Sequence, residues 1–286
     1  MTPKIDLKQV QAYWELMRFD RPIGILLLLW PTWWALWLAA DGVPDISLLI
    51  IFTLGVIVMR AAGCVINDIA DENIDKHVSR TQQRPLAAGK LSLRQAKLAF
   101  IALLVIALFL VLLTNHLTIY LSFAAVALAV IYPFMKRYTH LPQVVLGAAF
   151  SMSIPMAFAA QTGHLTATVV LIYVTNLLWT VVYDTYYGMT DREYDKKIGV
   201  KSTAILFEGS EAIITGSLQC ITLIGFYLIG QRFELGGLYF LSLFVAAGLM
   251  AYQQWLINQR QPDLYFKAFI NNHWVGMAIF VGIALG

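Results

Sequence analysis

Long apolar runs and short polar ones alternate along the whole chain. Nine stretches stay apolar for about 20 residues, the length needed to cross the hydrocarbon core of a bilayer. They fall at roughly 22–40, 45–66, 94–114, 118–135, 141–161, 165–187, 211–230, 236–257 and 268–286. Prolines at 22, 31, 133, 142 and 155 leave the pattern intact, because helices bundled in a membrane tolerate proline. The pattern predicts an all-α polytopic membrane protein, with about nine transmembrane helices in one bundle and the polar site at the cytoplasmic side. Residues 1–286 read as a single domain, with 1–21 as a cytoplasmic, amphipathic N-terminal segment.

Composition agrees. Of 286 residues, 59% are apolar and only 13% charged, with a mean hydropathy of +0.69. A soluble domain carries about 25% charged residues, so the soluble classes are excluded. Cys64 and Cys220 both sit in apolar stretches and suggest no disulfide framework. No small-residue cleavage site follows the first apolar run, so no cleavable signal peptide is expected. The pI near 8.8 does not point to nucleic acid, because the basic residues are spread over loops between spans.

Charge sets the orientation. With the N-terminus inside, the N-terminal tail and the loops after spans 2, 4, 6 and 8 hold 4, 6, 2, 4 and 2 Lys or Arg, which is 18 of 20. The outer loops hold Arg232 alone, and Arg60 lies within span 2. Cytoplasmic loops are the basic ones, so the N-terminus is predicted inside. Two inner loops are long, 67–93 and 188–210, and each opens with an acidic cluster. Spans 2–3 and 6–7 thus share one order of helix, acidic cluster, basic loop and helix, a weak internal repeat.

These two clusters carry the chemistry. The first reads Asn67-Asp68-Ile69-Ala70-Asp71-Glu72-Asn73-Ile74-Asp75, and the second runs from Asp184 through Asp191 and Glu193 to Asp195. Together they hold eight of the 17 acidic residues. Carboxylates at a bilayer edge are costly unless something positive binds them. Asn67, Asp71 and Asp75 share one helical face, as do Asp184, Asp191 and Asp195. A single such acid reads most simply as a cap or a solvated loop charge. Two clusters of one form, each at the inner end of a span, point instead to a shared cation. Oxygen ligands at this density suit Mg²⁺, which favours one or two carboxylates plus phosphate oxygens. Arg80, Arg84, Lys90, Lys136, Arg137 and Lys201 lie on the same side and could hold a diphosphate. Lys90, Lys136, Lys196 and Lys197 read better as positive-inside anchors.

The patterns N-D-x-x-D-x-x-x-D at 67–75 and D-x(6)-D-x-x-x-D at 184–195 resemble the UbiA superfamily of intramembrane aromatic prenyltransferases. Arg80-Thr81 with Arg84-Pro85-Leu86, the stretch Tyr-Pro-Phe-Met-Lys-Arg-Tyr-Thr-His-Leu-Pro-Gln at 132–143, and Ile-Gly-Val-Lys-Ser-Thr-Ala at 198–204 narrow the resemblance. They are similar to the branch that acts on 4-hydroxybenzoate. Glu72 departs from that pattern, where Arg is common. The resemblance implies a bacterial inner-membrane enzyme of ubiquinone biosynthesis, its active-site loops cytoplasmic. It would transfer a polyprenyl group from an allylic polyprenyl diphosphate to the ring carbon ortho to the hydroxyl of 4-hydroxybenzoate, using Mg²⁺. Membrane lipid would surround it. Another acceptor of the same superfamily, or an ion-coupled carrier, are the alternative readings.

The resemblance also implies roles. Asn67, Asp71, Asp75, Asp191 and Asp195 would bind Mg²⁺–diphosphate, with Asp71, Asp191 and Asp184 catalytic. Arg60, Arg84, Arg137 and Lys201 would bind substrates. Asp68 faces about 100° away from Asn67 and would orient a basic neighbour. Asp184, deeper than Asp191, would hold the acceptor's phenol, act as base, or pair with a neighbouring helix. Arg60 faces the same way as the motif and about 10 Å deeper. It would bind the acceptor's carboxylate or form a permanent salt bridge to Asp184. Tyr132, Phe134, Tyr138, Tyr183, Tyr186 and Tyr187 are candidates to face an allylic cation.

Topology reporters fused at Gln83, Arg137 and Gly163 should read inside, inside and outside, with the C-terminus outside. A cytoplasmic C-terminus contradicts the nine-span orientation.

Overall fold

The computed structural model describes residues 7–76 and 81–286, and for Asn73 and Ile74 the backbone only. Arg80 and the first six residues of the N-terminal segment lie outside the described residues. Among those described, the ordered elements are all helical: α1 (Leu7–Leu16), α2 (Ile23–Ala40), α3 (Ile46–Ala70), α4 (Glu72–Asp75), α5 (Leu93–Leu112), α6 (His116–Met135), α7 (Pro142–Ser151), α8 (Ser153–Thr162), α9 (Ala167–Ile198), α10 (Thr203–Leu206), α11 (Glu211–Arg232), α12 (Gly237–Asn258) and α13 (Pro262–Leu285). Nine membrane-crossing segments are present among the described residues, as the apolar pattern predicts: α2, α3, α5, α6, the α7–α8 pair, α9, α11, α12 and α13. The protein is an integral membrane protein.

Three differences from the expected boundaries bear on the site. The second acidic cluster is not a loop. α9 continues through it to Ile198 and stops at Gly199, whose left-handed backbone (φ 72°) returns its N–H to the Asp195 and Lys196 carbonyls. Charged residues end a hydropathy window but not a helix, and glycine supplies the stop. The first cluster is the converse case. α3 ends at Ala70, and one further turn, α4, completes the motif. Backbone bonds from Asp71 to Asn67 (3.0 Å) and from Asp75 to Asp71 (2.8 Å) still carry the four-residue register across the break. The fifth span also breaks, at Met152 between α7 and α8. Pro155 cannot donate to the Ser151 carbonyl, and its ring crowds that carbonyl.

Helices in lipid gain little from apolar contact alone, so small residues and buried amides hold them together. Trp34 Nε1 donates to the Gly276 carbonyl (3.0 Å), and Trp179 Nε1 donates to Asn272 Oδ1 (2.9 Å). These bonds tie α2 and α9 to α13. Gly276 permits the approach, since a Cβ there would stand 2.6 Å from Trp30 Cδ1 and 3.0 Å from Trp179 Cη2. Gln219 and Gln253 pair at 2.9 Å, and Gln253 donates on to Asn271, joining α11, α12 and α13. The largest apolar core lies in this half of the bundle, around Trp34, Trp179, Phe226 and Ile279. α5 and α6 instead expose Phe109 and Tyr120 to the lipid.

Gly276→Val should lower the thermal unfolding midpoint in detergent, because overpacking a helix contact costs about 1–3 kcal/mol. An unchanged midpoint contradicts this packing.

Candidate active site

Burial dominates the first cluster. Asp68, Asp71 and Asp75 are 1%, 3% and 5% exposed, and buried carboxylates need partners. Each has one. Arg18 Nη2 donates to both oxygens of Asp68 at 2.8 and 3.0 Å. Arg84 Nη1 bridges Asp75 Oδ2 (2.8 Å) and Asp68 Oδ1 (3.3 Å). The Lys136 ammonium donates to Asp71 Oδ2. Asp68 thus orients a basic neighbour, as its face suggested, and it orients two. Burial opposes the charge on Arg84, but the Asp68 and Asp75 carboxylates outweigh it and hold the guanidinium above its ordinary pKa. Burial raises the Asp71 carboxyl above the usual carboxylate range, by more than Lys136 lowers it.

The connecting segment after the first cluster is built to deliver Arg84. Thr81 Oγ1 donates to the Asp75 carbonyl (3.2 Å), and Arg84 N–H donates to the Thr81 carbonyl (2.9 Å). Arg18 sits in a left-handed turn (φ 58°) between α1 and α2. Lys90 reaches Glu15 on α1 at 2.8 Å, as a surface anchor would. Glu72 pairs with Lys76 at 3.1 Å.

Arg137 and Lys201 are both held by main-chain carbonyls. Arg137 Nη2 donates to the Ala70 carbonyl (2.7 Å), one of the carbonyls left open where α3 ends, and its guanidinium lies over Phe134. Lys201 Nζ donates to the Tyr138 carbonyl (3.3 Å), and its backbone N–H donates to the Lys136 carbonyl (3.0 Å). Both tie the end of α6 to its neighbours. The residue they steady is Lys136, which the sequence reading assigned to interfacial anchoring.

A cavity of about 1250 Å³ opens beside the cluster. Arg60, Asn67, Asp68 and Arg84 form its wall on one side, with Asp184 and Tyr187 of α9 also facing it. Tyr132 of α6 lines the same cavity as Arg60, Asp184 and Tyr187. Beyond this polar end the walls turn apolar, with Leu104, Val111, Phe123 and Met156. The shape suits an amphiphile with an anionic head and a long apolar tail. Of the six aromatic candidates, Tyr132, Tyr183 and Tyr187 line the cavity. Tyr186 turns the other way, its hydroxyl 3.0 Å from the Gln254 side-chain amide. Phe134 lies under Arg137, and Tyr138 is exposed.

Arg60 and Asp184 do not pair. No ion pair within 4.0 Å joins them among the described residues. Asp184 makes no side-chain hydrogen bond among the described residues and lines the cavity. Arg60 Nη1 donates to the Cys64 thiol, a weak acceptor. Arg60 Nε is buried with no partner among the described residues. Among the described residues the two therefore form no salt bridge, and both line the cavity.

The expected metal ligands are brought only partly together. Among the described residues no three His, Cys, Asp or Glu converge as a metal cluster. Asp191 borders a second cleft, beside Arg192 and Glu211. Asp71 Oδ1 is nevertheless buried without a hydrogen-bond partner among the described residues, and the Asn67 amide stands 3.3 Å from Asp71 Oδ2. An orphaned carboxylate oxygen in a basic, oxygen-rich setting fits a hard divalent cation.

The model of the UbiA prenyltransferase family matches residues 28–277. The chain is 60% identical over 272 residues to a 4-hydroxybenzoate octaprenyltransferase of Saccharophagus degradans, covering 95% of this chain and 91% of that protein. Its fold is similar to the apo structure of a UbiA homolog from Aeropyrum pernix K1, with a TM-score of 0.80, 24% identity and coverage of 91% and 97%. It is also similar to a UbiA homolog from Archaeoglobus fulgidus bound to GPP and Mg²⁺, with a TM-score of 0.69, 19% identity and coverage of 96% and 100%. With nearly the whole length matched in sequence and in fold, the chain belongs to the UbiA prenyltransferase family.

Proposed function

We propose that the protein transfers a polyprenyl group from an allylic polyprenyl diphosphate to the carbon ortho to the hydroxyl of 4-hydroxybenzoate, a membrane step of ubiquinone biosynthesis. The reaction takes place at the cytoplasmic side of a bacterial inner membrane. The observation that carries this reading is Arg60, whose buried Nε has no partner among the described residues, lining the polar end of an apolar cavity together with Asp184. An acceptor with a carboxylate at one end of a ring and a phenol at the other complements both groups. The name of the Saccharophagus degradans relative supports that acceptor, and the GPP and Mg²⁺ held by the Archaeoglobus fulgidus homolog support the donor and the cofactor.

Asn67, Asp71, Asp75, Asp191 and Asp195 would hold Mg²⁺. When bound, it neutralises the charge that builds on the diphosphate as the C–O bond ionises. Arg84 and Lys136 offer the remaining positive charge, since both already lie among the acids. Arg137 and Lys201 act beside them, at the end of α6. Tyr132, Tyr183 and Tyr187 present ring faces to the allylic carbon, where positive charge develops. Arg60 holds the acceptor's carboxylate with its planar fork. Asp184 then accepts from the phenol or takes the ring proton after the ring carbon attacks.

Asp71→Ala and Asp191→Ala should each lower turnover at least about 10²-fold, the scale of losing a positioned electrostatic stabiliser. Both variants should still insert, since losing a carboxylate makes the segment more apolar. Assays with and without EDTA check this, and near-normal turnover of folded Asp71→Ala in EDTA contradicts a metal–diphosphate site. Arg60→Lys should raise the KM for 4-hydroxybenzoate roughly ten- to 150-fold, as loss of a charged hydrogen bond does, with prenyl diphosphate binding unchanged. Loss of both substrates together would assign Arg60 a structural role instead.

A further inference from the structure

The direction of the Arg60 fork has a cause in the neighbouring helix. Gly24 lies in the first turn of α2, buried, and both Gly24 and Cys64 belong to the cavity wall. An ideal Cβ built on Gly24 would overlie Nε and Nη2 of Arg60 and stand 2.7 Å from Cζ. On the other side Nη1 rests on the thiol of Cys64, one turn further along α3. The guanidinium therefore lies in a slot with the backbone of α2 on one edge and a thiol on the other. Among the described residues it finds no oxygen partner, and Nε stays unpartnered. Shape holds the fork, not strong hydrogen bonds.

Nothing in the backbone requires glycine at this position. Gly24 is helical and has none of the positive φ that marks Gly42, Gly89, Gly163, Gly199 and Gly209. Alanine would favour the helix. Space is what glycine supplies, and the space is filled by the guanidinium. We propose that Gly24 and Cys64 are positioning residues that seat Arg60 and aim it at the acceptor's carboxylate, so that they set acceptor affinity without touching the acceptor. This inference rests on the reading of Arg60 given above.

The atoms displaced by a Cβ at Gly24 are the tip of a flexible side chain. The fold can absorb the methyl by moving Arg60, which separates a seat from a packing contact. Three properties of Gly24→Ala, Cys64→Ala, Arg60→Lys, Arg60→Ala and Gly24→Ala/Arg60→Ala decide it: the KM for each substrate, kcat/KM for the acceptor, and the thermal midpoint. Gly24→Ala should raise the acceptor KM about ten-fold, on the scale of one charged hydrogen bond. The prenyl diphosphate KM should stay the same and the midpoint should not fall. Cys64→Ala, which enlarges nothing, should raise the acceptor KM by a smaller factor. With Arg60 already replaced by alanine, Gly24→Ala should change nothing further.

If Arg60→Lys raises the acceptor KM and Gly24→Ala does not, the seat is wrong and the reading of Arg60 stands. If neither raises it, that reading falls and the seat falls with it. An effect of Gly24→Ala that persists in the Arg60→Ala background, or a drop in its midpoint, assigns Gly24 to packing and overturns the proposal. An acceptor KM unchanged in Cys64→Ala removes Cys64 from the seat.

Discussion

Buried charge at the end of a lipid-embedded bundle is the constraint on which this structure turns. Three carboxylates of the first cluster are almost wholly withdrawn from solvent, and three cations from elsewhere in the chain come to them. Removing one partner of such a pair is costly, about 3–5 kcal/mol, because the other charge stays buried. The pairs therefore dictate where the chain must pass. Arg18 fixes the turn between α1 and α2, Arg84 fixes the segment after α4, and Lys136 fixes the end of α6. Three separate pieces of backbone are gathered around the end of α3 by these ion pairs, and an apolar cluster of Leu16, Val65 and Leu86 packs beside them.

The rest of the molecule divides its labour around that point. α2, α9, α11, α12 and α13 are knitted by glycine contacts, tryptophan donors and paired amides, so one half of the bundle is firmly packed. α5 and α6 contribute lipid-facing side chains and leave room for the apolar arm of the cavity. The firmly packed half holds Asp184, and the roomier half lines the apolar arm of the cavity.

Much of this was legible in the sequence, for stated physical reasons. Span count follows from apolar length, and the chain keeps all nine among its described residues. The facing of Asn67, Asp71 and Asp75 follows from the four-residue period, which survives the break after Ala70. Arg60 stood out as the lone basic residue deep in a span. What stayed hidden depends on partners far apart in sequence. Nothing local marks Lys136 as the partner of Asp71, 65 residues away, or Arg18 as the partner of Asp68, 50 residues away. The continuation of α9 was hidden for a different reason. A helix leaving the membrane changes its composition but not its geometry, so polarity marked the water surface and was mistaken for the end of the helix. Gly24 gives no signal at all, because the side chain that needs its space belongs to another helix.

The unbroken length of α9 has a mechanical consequence. Its 32 residues make a rod of about 48 Å, against a hydrocarbon core of about 30 Å. One rod therefore carries Asp184 within the bilayer and Asp191 and Asp195 towards its polar edge, at fixed separations. No hinge lies between them among the described residues. A tilt of α9 moves all three carboxylates as one lever, with the displacement growing along the arm. The deep acid and the outer acids thus cannot be adjusted independently of one another.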